Sequence, residues 1–110
     1  MTTRARATRA TRPVEPGDEI FVLRLYVAGT SARSARAIAN AKQICDEHLA
    51  GRYELEVIDI FQQPERAKDD QILAVPTLIK RLPAPLKRFI GDLSDREVVL
   101  VGLDVKRASP

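Results

Sequence analysis

The side chains able to do chemistry are few in this chain, and their spacing does not assemble a reactive site. Cys45 is the single cysteine, so neither an intramolecular disulfide nor a Cys-x-x-Cys redox pair can form. It falls in an apolar helical stripe, where a thiol is expected to behave as a small buried hydrophobe. His48 is the single histidine, and a metal site or a histidine-based triad lacks its other members. The pairs Asp69-Asp70 and Asp92/Asp95 have no neighbour expected to shift a pKa, so they read as solvated charges. Ser31 and Ser34 have no base beside them, and no GxxxxGK or GxGxxG motif is present. The expectation is a binding protein with no catalytic centre, no cofactor and no metal.

Length and composition set the frame for positioning any binding residues. The 110 residues, 45% apolar and 30% charged, fit one modest globular domain. No apolar run is long enough for a bilayer and no secretory signal is visible, so a cytoplasmic location without a membrane partner is expected. Of the net charge of +3, residues 1–18 carry +2, through Arg4, Arg6, Arg9 and Arg12 against Glu15 and Asp18. This stretch reads as a disordered Arg-rich arm, residues 19–106 as the folded domain, and residues 107–110 as a tail. The folded part is nearly neutral, which argues against nucleic acid as a partner. A nucleic-acid-binding module using the arm is retained as an alternative function.

Within the domain, "IFVLRLYVAG" from Ile20 is apolar at nearly every position, as in a strand covered on both faces. Thr30, Ser31 and Ser34 offer N-caps for a helix with Ala35, Ile38, Ala41, Cys45 and Leu49 at helical spacing, stopped by Gly51. In "RYELEVIDIF", Tyr53, Leu55 and Val57 alternate with Glu54 and Glu56, and Ile58, Ile60 and Phe61 suggest a more buried far end. Pro64 suits the first position of a short helix. Pro76 leads a strand over Val75–Ile79, residues 82–86 form a proline-rich turn, and "KRFIG" is a second short strand.

The segment "SDREVVLVGLDVK", residues 94 to 106, carries conflicting signals. Ser94 and Glu97 have capping-box spacing, which starts a helix. Val98 to Val105 hold four valines, which favour a strand, and Gly102 weakens either element. If it is a helix, the element order is βαβαββα, that of a thioredoxin-like domain with Pro76 before the third strand. The redox site of that fold would fall at "AGTSARSA", which has no cysteine. A redox-inactive thioredoxin-like sensor domain is therefore another alternative function.

The stretches "LRLYVAG", "VIDIFQQPERAKDDQILAVPTL" and "IGDLSDREVVLVGLD" resemble signatures of the KaiB family. The resemblance covers residues 20 to about 105 and implies a non-catalytic clock or timer protein that binds a KaiC-like ATPase ring and modulates its phosphorylation or ATPase cycle. It also implies a metamorphic chain. One form is a thioredoxin-like monomer that binds the ring. The other is a βαββααβ form in a dimer or tetramer. On matched positions the resemblance implies a fold-balance role for Phe21, Gly102 and Asp104, and prolines Pro76, Pro83 and Pro85 whose isomer can differ between the forms. It implies contact with the ATPase for Arg36, Lys80, Lys87 and Arg88. The chain departs from the pattern at Ala84, at "TSARSA", at Glu54 and Glu56, in the Arg-rich arm and in ending at Pro110 without an acidic tail. These departures argue against KaiA as a partner and toward a simpler timer or a stress role.

Overall fold

A computed structural model describes residues 19–103. The Arg-rich arm, the tail and Asp104 lie outside the described residues. The elements run β1 (Phe21–Val27), α1 (Ala32–His48), β2 (Tyr53–Asp59), α2 (Pro64–Asp69), β3 (Thr77–Leu82), β4 (Lys87–Ile90) and α3 (Arg96–Leu103). This is the βαβαββα order, and the last, contested segment is a helix.

The strands form one sheet in the order β2-β1-β3-β4. β1 runs parallel to β2 and antiparallel to β3, and β3 runs antiparallel to β4. β1 is therefore internal and covered on both faces, which explains its nearly unbroken apolar run. On one face Phe21, Leu23, Leu25 and Val27 pack with Ala37, Ala41, Ile44 and Cys45 of α1 and with Val99 and Leu103 of α3. On the other face Tyr26, Ile58 and Ile79 pack beneath α2, with Ala67, Ile72 and Val75 against them. Each large apolar side chain so buried contributes about 1.5–3 kcal/mol.

Helix α1 starts where Ser31, in extended backbone, accepts a hydrogen bond from the Ser34 amide at 3.2 Å. It ends before Gly51, whose φ of +77° lets the chain turn into β2. The stripe differs in phase from the expected one: Ala35 is exposed, and Ser34, Ala37 and Ile44 are buried. Ser34 is buried because its hydroxyl is satisfied, accepting from the Ala28 amide at 3.0 Å and from the Ser31 hydroxyl at 2.9 Å.

At β2 the expected alternation holds for Tyr53 and Leu55, which pack on the core, whereas Val57 is exposed. Phe61, expected at a buried end, is also exposed and lies beside Gly29, 3.5 Å from where a Cβ there would stand. Asp59 holds this corner by accepting from the amides of Gly29 and Phe61.

Between β4 and α3 the chain reverses through Gly91 (φ +120°) and Leu93 (φ +65°). The cap of α3 is one residue later than the capping-box spacing suggests. Asp95, not Ser94, accepts from the Val98 amide at 3.3 Å, and the Asp95 carbonyl accepts from the Val99 amide. The Ser94 amide is already engaged, donating to Asp92 Oδ1 at 3.1 Å. That tight turn displaces Ser94 from the capping role.

Candidate interaction surface

The three prolines assigned to fold balance stand at the ends of β3 and in the β3–β4 turn, and the bonds Val75-Pro76, Leu82-Pro83 and Ala84-Pro85 are cis. Phe21 opens β1, buried, with the Arg52 guanidinium 5.7 Å from its ring centroid. Gly102 lies in α3 where the helix meets β4. A Cβ added there would collide with the Phe89 ring, at 2.6 Å from Cζ. The helix therefore rests on an aromatic ring at a spacing that only glycine allows.

Two polar links hold the β4–α3 loop against α1, and a third ties α3 itself to it. Arg36 Nε donates to Asp92 Oδ2 at 3.2 Å, and Asn40 Nδ2 donates to the Asp92 carbonyl at 2.7 Å. Hydrogen bonds from Ser94 and Arg36 hold the Asp92 carboxyl below the usual carboxylate range. Arg96 pairs with Glu47 near the far end of α1.

Of the residues implied to contact a partner, Arg36 is exposed on α1 and Lys87 and Arg88 are exposed on β4. Lys80 is placed differently. It sits in β3, paired with Leu23 of β1 and Lys87 of β4, and is only 1% exposed. In this arrangement it belongs to the interior, not to a surface that a partner could touch. Arg33, one helical turn before Arg36, lines the same cleft as Arg88. The sequence signal for it was the three-residue spacing of the two arginines, which puts them on one helix face.

Asp70 also departs from expectation. Its side chain is only 11% exposed and is held by Arg24 at 3.0 Å, Arg81 at 3.1 Å and the Tyr26 hydroxyl. Burial pushes its carboxyl up, but the hydrogen bonds from Tyr26 and Arg24 and the nearby guanidinium charges outweigh it and leave the group below its ordinary value. Tyr26 responds in the opposite sense, pushed up to about 12 by burial and by its bond to Asp70. Arg66 meanwhile grips Glu56 of β2 through both terminal nitrogens. The cluster ties α2 to β1, β2 and β3, and every strong partner in it is internal, so it serves the scaffold.

Cys45 is buried, and burial pushes its thiol up to about 12. His48 is at the last turn of α1, 4.0 Å from Glu47. Among the described residues no group of three His, Cys, Asp or Glu side chains comes together to hold a metal. No helix among them is long and apolar enough to cross a membrane.

The description "KaiB domain" matches residues 24–105. The chain belongs to the KaiB family. "Circadian clock protein KaiB3" of Synechocystis is 55% identical over 85 residues, covering 77% of this chain and 83% of that protein. Among solved structures, the N-terminal domain of Synechococcus elongatus SasA has a TM-score of 0.64 at 23% identity, over 84% of this chain and 90% of that one. Chloroplastic thioredoxin z also has a TM-score of 0.64, at 16% identity, covering 93% and 87%. At these identities the two structures establish the fold, which is thioredoxin-like. The KaiB family is one of circadian clock proteins.

Proposed function

We propose that this chain is a non-catalytic clock or timer protein of the cytoplasm that binds a KaiC-like ATPase ring and modulates its ATPase and phosphorylation cycle. In this reading the thioredoxin-like monomer is the binding form, substantially populated before any partner arrives, and a βαββααβ form, dimeric or tetrameric, is in balance with it. Residues 19–106 make the switching domain, flanked by the arm and the tail.

The observation that carries the reading is helix α3. In a member of the KaiB family, the segment with conflicting signals is folded as a helix against β4. The conflict has a definite size. Val98, Val99 and Val101 each cost a helix roughly 0.5 kcal/mol relative to alanine and Gly102 about 1 kcal/mol, in all about 2–3 kcal/mol. A burden of that size is one a partner can overcome or exploit through differential binding. Val98 and Val101 are exposed, so the packing of Val99 and Leu103 has to offset it. Gly102 with Phe89, and the matched Asp104, Phe21, Pro76, Pro83 and Pro85, set the balance in this reading. Arg36, Lys87 and Arg88 supply contacts to the ring, and Lys80 becomes available only where β3 is rearranged.

The test is size-exclusion chromatography of the full chain with its cognate KaiC and ATP, followed by the ring's ATP hydrolysis rate. The chain is expected to move into the ring fraction and change that rate, and Lys87→Glu with Arg88→Glu to weaken co-elution. A ring that never carries the chain, with its hydrolysis unchanged, would overturn the proposal.

A further inference from the structure

Among the described residues β4 is an edge of the sheet, bonded to β3 alone. The Gly91 amide donates inward to the Pro76 carbonyl at 2.9 Å. Backbone groups alternate in direction along an antiparallel strand, so Phe89 and Lys87 also face inward. Arg88 and Ile90 then direct their N–H and C=O groups away from the sheet. Both residues are exposed, Ile90 at 72%.

Two clefts flank this edge, and both are lined by Arg88 and Ile90. One, of about 550 Å³, opens on the α2 side, with Lys68, Ile72 and Leu73 among its walls. The other, of about 320 Å³, opens on the α3 side, with Arg33, Val98 and Val99. A strand laid along β4 would send successive side chains alternately into the two clefts, because side chains alternate with period two. Free edge groups with side-chain recesses on both faces are what peptide recognition by strand addition requires.

We propose that the β4 edge binds an extended, acidic segment of another protein as a fifth strand, hydrogen-bonded to Arg88 and Ile90. Charge selects the occupant. Lys87 and Arg88 on the strand, Lys68 on one side and Arg33 on the other favour carboxylates. Asp92 and Asp95 on the α3 side are already occupied, with Arg36 and Ser94 and with the α3 cap. A second copy paired antiparallel at this edge would bring two Lys87-Arg88 pairs together, which like-charge repulsion disfavours. The inference deepens the reading of Lys87 and Arg88 as partner contacts, and it is tested without the ATPase, so either can fail alone.

The probe is a capped heptapeptide alternating glutamate and valine, titrated into the full isotope-labelled chain at low salt. Its controls are the lysine-valine counterpart and the acidic peptide N-methylated at alternate residues. Amide exchange at Arg88 and Ile90 is expected to slow by about tenfold or more on binding, with Lys87 and Phe89 unchanged. Binding is expected to weaken with salt and to be lost with the basic and N-methylated peptides. An Ile90→Pro variant, which removes an outward donor while leaving the ladder bonds to β3 in place, is expected to lose the interaction while keeping amide shifts away from the edge. Equal binding of all three peptides, protection along β2 instead, or protection of Arg88 and Ile90 by self-association without peptide would each overturn the proposal.

Discussion

Gly102 and the Phe89 ring occupy adjoining space so closely that a methyl group on the helix would overlap the ring. Two opposed quantities meet there. Replacing Gly102 by alanine adds about 1 kcal/mol of helix propensity and drives a Cβ into an aromatic side chain. The Phe89 ring is partly buried at the sheet's edge, so it yields only by giving up packing against α3. In a Phe89→Ala background, Gly102→Ala is expected to stabilise the chain by about 1 kcal/mol. With Phe89 present that gain should shrink or reverse, giving a coupling of about 1 kcal/mol or more in urea melts of the four proteins. Additive effects would show that the contact does not constrain α3.

Asp70 should govern the acid limb of stability. Its folded pKa lies below its unfolded value, so the stabilisation is fully present above the unfolded value of about 4 and is lost as pH falls through the folded one. Asp70→Asn leaves Arg24 and Arg81 facing each other without their shared carboxylate. It is expected to cost roughly 2–4 kcal/mol at neutral pH. It should also flatten the loss of stability below about pH 4, measured by urea melts across that range.

The Cys45 thiol, pushed up to about 12 from an ordinary 9.0 by burial, should be nearly inert in the folded chain. At pH 8 its reaction with an aromatic disulfide reagent is expected to be on the order of a thousandfold slower than in denaturant. A comparable rate in both would mean that α1 opens readily from the sheet.

The clamp on the β4–α3 loop should divide unevenly between its two donors. Asn40→Ala, which removes a bond to the Asp92 carbonyl, is expected to cost about 1 kcal/mol in thermal melts. Arg36→Ala removes an exposed ion pair and should change stability by less than about 0.5 kcal/mol. If Arg36 serves a partner, that same variant should weaken co-elution with the ATPase ring.

Much of this architecture is legible in the residues. The apolar run of β1 announces a strand covered twice, Gly51 marks the end of α1, and Pro64 and the prolines between 82 and 86 fall where a helix starts and a hairpin turns. What escaped the sequence were polar groups whose partners are distant along the chain. Ser34 looks like a surface residue until its bond to Ala28 is seen. Asp70 looks like half of a solvated pair until Arg24, Arg81 and Tyr26 converge on it from two strands. Lys80 looks like a surface cation, and its burial depends on β3 lying between β1 and β4. The helix over 96–103 was only half legible, because local propensity is balanced there and tertiary packing of Val99 and Leu103 decides it. The candidate surface was legible in its charges, whereas the outward backbone of β4 became visible only with the register.

The backbone carbon chemical shifts of Arg96–Leu103 in the free, full-length chain probe this balance at its source. A continuous run of helical shifts, with contacts from Gly102 to the Phe89 ring, is the result expected of a ring-binding thioredoxin-like form present before any partner arrives. Strand shifts throughout those residues would contradict it.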